Sequence, residues 1–116
     1  MNRIRTITKR EDFDKIYSRS GSAGSKYVVV LFRKNGLSES RQAFIASKKV
    51  GNSVQRNRAR RLMKEAFRLS DEQVPGGYDI AFIARNGIDV CKCADVQRNI
   101  EAALKRAGLT GRTEQL

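Results

Sequence analysis

The apolar positions of this chain fall into two kinds of run, one with the period of a helix and one with no polar alternation. Ala59, Leu62, Met63, Ala66 and Phe67 recur at i, i+3, i+4, i+7 and i+8, which is one apolar stripe on an α-helix beginning after residue 54. Val96, Ile100, Ala103, Leu104 and Ala107 repeat that spacing and predict a helix over 95–107, ended by Gly108. Phe13, Ile16 and Tyr17 predict a shorter first helix over 8–18, with Phe13 and Tyr17 one turn apart and Thr8 and Glu11 forming a capping box.

The second kind of run is β-branched and aromatic. Residues 26–32 hold Tyr27-Val28-Val29-Val30-Leu31-Phe32, and residues 78–84 are similarly apolar, so both predict strands covered on two faces. Between them, Asn35-Gly36 predicts a reversal into a strand over 41–46, and Pro75-Gly76-Gly77 a turn before the strand at 78. Residues 20–25, all Gly, Ser or Ala, read as a loop. The order helix, strand, strand, helix, strand, helix, with a possible extra short strand, predicts an α+β sandwich. At 116 residues it is a single domain, with a core over about 7–108 and a frayed tail over 109–116.

Charge changes this picture from a fold to a function class. Lys and Arg number 24 against 12 Asp and Glu, a net charge of +12, so polyanions are the expected partners. No apolar run reaches the roughly 20 residues that cross a bilayer, and the first residues lack a signal-peptide pattern. Nucleic acid therefore outranks membrane, and a cytoplasmic location is expected. With no histidine, Cys91 and Cys93 fall short of a zinc site and read as reduced thiols near a helix start, and no metal is expected on the protein.

The cations are not spread evenly. On the helix after residue 54, Asn57, Arg61, Lys64 and Arg68 lie opposite the apolar stripe, flanked by Arg56 and Arg60 on one side and Arg58 and Glu65 on the other. Solvated helix faces usually alternate sign, whereas this one repels itself unless a polyanion neutralises it. Upstream, Ser47-Lys48-Lys49-Val50-Gly51-Asn52 adds two cations in a loop whose backbone N–H groups can meet phosphate. Composition and periodicity do not separate RNA from DNA.

The segment from Ser47 through Arg56-Asn57-Arg58-Ala59-Arg60-Arg61 to Arg68 resembles the signature of the bacterial ribonuclease P protein component. The resemblance takes in Glu11-Asp12-Phe13 with Tyr17, and Tyr78-Asp79-Ile80 through Ala84-Arg85, about residues 7–108 in all. It implies a ribosomal protein S5 domain 2-like fold with a left-handed βαβ crossover, against the usual right-handed rule. It also implies an accessory subunit of a ribonucleoprotein endonuclease that removes the 5′ leader of precursor tRNA. The RNA subunit performs the hydrolysis with magnesium, and no catalytic residue lies in the protein.

Carried onto this sequence, the resemblance implies an RNA-facing set of Lys48, Lys49, Asn52, Arg56, Asn57, Arg58, Arg60, Arg61, Lys64 and Arg68. It implies a cleft for the single-stranded leader lined by Phe13, Tyr17, Val30, Ser47, Lys48 and Arg85. Aromatic faces there stack on any base, although Phe13 and Tyr17 also suit a plain core role. The expected partners are the catalytic RNA, about one protein per RNA, and the leader, with no further protein required. Two competing readings remain: a stand-alone ribosomal or assembly module with the same basic helix, and a metal-independent nuclease, which the absence of histidine disfavours.

Overall fold

The computed structural model describes residues 4–70 and 73–110. In chain order it contains α1 (Arg10–Arg19), β1 (Gly21–Gly24), β2 (Val28–Lys34), β3 (Arg41–Ile45), α2 (Ser53–Leu69), β4 (Tyr78–Ala84), a 3-10 turn over Ile88–Val90, and α3 (Cys93–Arg106). The strands form one sheet in the order β1-β2-β4-β3. β4 is antiparallel to β2 and parallel to β3, so α2 is the crossover that joins two parallel neighbours.

One face of the sheet carries the main core. Val28, Val30, Ile80 and Phe82 are fully buried there against Ala59, Met63, Ala66 and Phe67 of α2 and Val96, Ile100, Ala103 and Leu104 of α3. The Phe67 ring lies 4.9 Å from that of Phe82, which stacks on Phe44 at 5.2 Å. Full burial of each such side chain is worth about 1.5–3 kcal/mol, enough to hold α2 in place despite the charge on its outer side. The two predicted helical stripes are thus the faces that pack.

The other face is more thinly covered, and its residues fall into three rows across the strands. Arg33, Asp79 and Arg41 form one row, Leu31, Ala81 and Ala43 the next, and Val29, Ile83 and Ile45 the third. Ile16 of α1 is buried over the middle row with Ile7, and Phe13 packs beside them. Arg41 grips the fully buried Asp79 with Nε and Nη2, at 2.8 and 2.7 Å, and reaches Asp12 of α1 at 3.3 Å. Burial pushes the Asp79 carboxyl up. Hydrogen bonds from Arg41 and Asn35 and the charges of Arg41 and Arg33 outweigh that push and hold it below the usual carboxylate range. The same bond to Asp79 raises Arg41 further.

Several sequence expectations change. The Asn35-Gly36 reversal turns the chain, with Gly36 at φ 74, but makes no hairpin, because β4 inserts between β2 and β3. Residues 21–24 are a strand rather than a loop. Gly21 lies under the Phe32 ring, where a Cβ would come within 2.7 Å, so small residues there serve close packing. Thr8 does not cap α1: residues 5–7 first run along Gln42, with Ile7 N–H donating to its carbonyl at 2.9 Å, and the helix starts after Lys9 with no side-chain cap.

Leu109 is not part of a frayed tail. Gly108, at φ 77, donates to the Lys105 carbonyl and Leu109 to that of Leu104, each at 3.0 Å, a Schellman motif that buries Leu109 in the core. Thr110 is buried as well, and the remaining residues of the expected tail, 111–116, lie outside the described residues.

Candidate RNA interface

A capping box starts α2. The Asn52 side chain accepts from the Gln55 N–H at 3.0 Å, and the Gln55 side chain accepts from the Asn52 N–H at 2.8 Å. Gly51, at φ 145, leaves the space that Gln55 needs, since a Cβ there would fall 1.9 Å from its Oε1. Asn52, expected as an RNA contact, thus has a structural task for its oxygen. The turn before it is pinned by buried Val50, which leaves Ser47, Lys48 and Lys49 exposed.

On α2 itself, Asn57, Arg58, Arg61, Lys64 and Arg68 are exposed, and Arg56 and Arg60 half-buried, as the helical spacing predicts. Arg58 Nε donates to the Asp89 carbonyl at 2.7 Å, Arg56 donates to Ser53 Oγ at 3.2 Å, and Arg60 to Asn57 Oδ1. Arg68 pairs with Glu65. Among the described residues, no carboxylate pairs with Arg56, Arg58, Arg60, Arg61 or Lys64. The neutral contacts aim these guanidinium groups but leave their charge uncompensated. Such a face favours a dense array of anions.

On the opposite side of the sheet, the row Val29, Ile83 and Ile45 is only half-buried, with Ile45 packed against the cluster of Ile7 and Ile16. Tyr17 is 57% exposed on α1, while Phe13 packs against the second core, so the two aromatics divide between the core and contact roles. Ser47 and Lys48 follow β3, and Arg85 follows β4, so both stand at the end of the sheet where this row lies. The result is an apolar floor with cations at its rim.

Val30 is not part of that floor. It is fully buried on the α2–α3 face, and its neighbours Val29 and Leu31 point the other way. A strand apolar on both faces has no alternation to set its phase, and an error of one residue moves a side chain through the sheet. Val29, Ile83 and Ile45, which the resemblance does not name, form that floor instead. Cys91 and Cys93 are free and half-buried beside α2, and burial, with Glu65 nearby, pushes the Cys93 thiol up.

The family model for ribonuclease P matches residues 1–108. The chain belongs to the ribonuclease P protein family. A ribonuclease P protein component from Clostridioides difficile is 41% identical over 110 residues, covering 94% of this chain and 96% of its own. Among solved structures, a Staphylococcus aureus RNase P protein superposes with a TM-score of 0.80 at 29% identity, covering 94% of this chain and all of that one. The RNase P protein from Thermotoga maritima gives a TM-score of 0.76 at 32% identity, with 88% and 96% covered. The chain is an accessory protein subunit of ribonuclease P, the ribonucleoprotein that cleaves tRNA precursors.

Proposed function

We propose that the outer face of α2 and the Lys48-Lys49 loop bind the catalytic RNA of ribonuclease P, about one protein per RNA. In this reading the row Val29, Ile83 and Ile45, with Tyr17 above it and Ser47, Lys48 and Arg85 at its rim, receives the single-stranded 5′ leader of precursor tRNA. The observation that carries the proposal is the set of five cations on α2 with no carboxylate partner among the described residues. A face that repels itself is stabilised by phosphates and released counterions. The half-buried floor supplies apolar contact that ignores base identity, which suits leaders of varied sequence.

Hydrolysis and its magnesium belong to the RNA subunit. Among the described residues, no three carboxylates or thiols come together as metal ligands. The protein's part is to hold two RNA segments in fixed relation, so that the leader and the catalytic RNA meet without a high concentration of divalent cation. No described helix is long and apolar enough to cross a membrane. We place the holoenzyme in the cytoplasm, with its RNA substrates.

Reconstitution with a ribonuclease P RNA at low magnesium tests the reading. Adding the protein restores cleavage of precursor tRNA and gives leader-bearing precursor an affinity advantage over mature tRNA. Equal affinity for both, with the RNA subunit still bound, leaves a stand-alone RNA-binding module. Cleavage by the protein with no RNA subunit present makes it a nuclease in its own right.

A further inference from the structure

We propose that Lys26, Arg85 and Arg106 form a phosphate-binding site that takes the part of a single-stranded RNA lying beyond the α1 cleft, extending the leader track past the sheet. The proposal rests on the leader reading given above and adds two residues, Lys26 and Arg106, that neither the helix face nor the cleft includes.

Three separate elements bring these cations together. Lys26 lies in the turn between β1 and β2, Arg85 just after β4, and Arg106 at the last position of α3. With Gly24 and Ser25 they line one open cavity of about 340 Å³. Arg106 is fixed there by one bond, from Nη1 to the Gly24 carbonyl at 3.2 Å, and Lys26 Nζ lies 5.3 Å from the centre of the Tyr27 ring. None of the three has a carboxylate partner among the described residues. Two guanidinium forks and an ammonium around one opening suit a phosphate oxygen cluster.

The position of the cavity selects single-stranded RNA over an acidic peptide. Gly24 pairs with Val29, Val29 with Ile83, and Ile83 with Ile45, so the apolar floor crosses β3, β4 and β2 and ends at Gly24 of β1, which lines this opening. Lys48 stands at the β3 end of that line and the three cations at the β1–β2 end. Three strand spacings separate β3 from β1, about 14 Å, which leaves room for bases on the floor and phosphates at both rims. A chain with flat apolar bases and a regular negative backbone matches that alternation of floor and rim.

The test uses the holoenzyme and precursor tRNAs whose leaders are lengthened one nucleotide at a time. With the natural protein, affinity rises as the leader fills the cleft and rises again when it reaches the three cations. In the Lys26→Ala/Arg106→Ala variant the second rise is missing, so the ratio of long-leader to short-leader affinity falls roughly tenfold, the effect of about one charge-assisted hydrogen bond. Its salt slope for the long leader also becomes shallower, by about 0.7 per lost phosphate contact. Should the alanine pair fold poorly, Lys26→Gln/Arg106→Gln reports the same ratio. If the natural protein responds to leader length and the variant responds identically, this site is wrong and the leader reading stands. If the natural protein ignores leader length, both fall together. An equal loss for every substrate, mature tRNA included, or displacement of bound leader by an acidic peptide alone, assigns these cations to another partner and overturns the proposal.

Discussion

Two groups of arginines in this molecule sit in opposite electrostatic settings. Under α1, Arg41 and Arg33 converge on Asp79, and Arg41 also holds Asp12, so positive charge is matched inside the protein. On α2, Arg56, Arg58, Arg60 and Arg61 receive only neutral oxygens or none, and no described carboxylate answers them. The first group ties a helix to a sheet and is complete without a partner. The second is incomplete until one arrives. Arginine content alone says little, and the placement of carboxylates separates arginines that build the fold from those that the proposed function assigns to RNA.

The contrast breaks most sharply at Asp79. Asp79→Ala strands the Arg41 charge in a mostly buried place and is expected to cost about 3 kcal/mol in urea unfolding. An unchanged midpoint would show that water already screens the network. A smaller effect, of the opposite kind, is expected at Arg61→Ala. Affinity for the RNA subunit drops roughly tenfold, with the salt slope lower by about 0.7 to 0.9, while stability moves by no more than about 0.5 kcal/mol. A large fall in thermal stability would mean that Arg61 supports the fold.

The smallest effect is in acid. Because the folded-state Asp79 carboxyl titrates below its unfolded value, near 3.9, its stabilisation is present above that value and is lost as pH falls through the lower folded one. Asp79→Asn therefore removes part of the acid dependence below about pH 4 and leaves the slope near neutrality unchanged. Melting curves at stepped pH read this directly, and equal acid slopes in both proteins would remove Asp79 as their source.

What the sequence made legible follows from periodicity. The stripes on α2 and α3 have a 3.6-residue repeat, so both the packed side and the exposed cations, Arg61 and Lys64 included, could be placed from spacing alone. The strands could be located but not oriented, because Val28 to Phe32 is apolar on both faces. Val30, which the resemblance placed in the cleft, lies on the α2–α3 face, and its neighbour Val29 is on the α1 side. Strand order was equally hidden, since nothing local in Asn35-Gly36 tells that β4 comes between the strands on either side of it. Gly21 to Gly24 has the composition of a linker, and only the Phe32 ring above it explains a strand. Leu109 carried a readable signal, an apolar residue directly after a helix-ending glycine.

The central place of β4 sets the order in which the molecule can assemble. Before residue 78 leaves the ribosome, β1–β2 is the one strand ladder that can form, beside the short pairing of residues 5–7 with Gln42, because both remaining ladders require β4 as a partner. Its arrival closes them together, across a long stretch of chain whose loop entropy must be overcome at that step. The four-stranded sheet is therefore completed late, and a chain that ends before Tyr78 keeps only the β1–β2 ribbon beside its cationic helix.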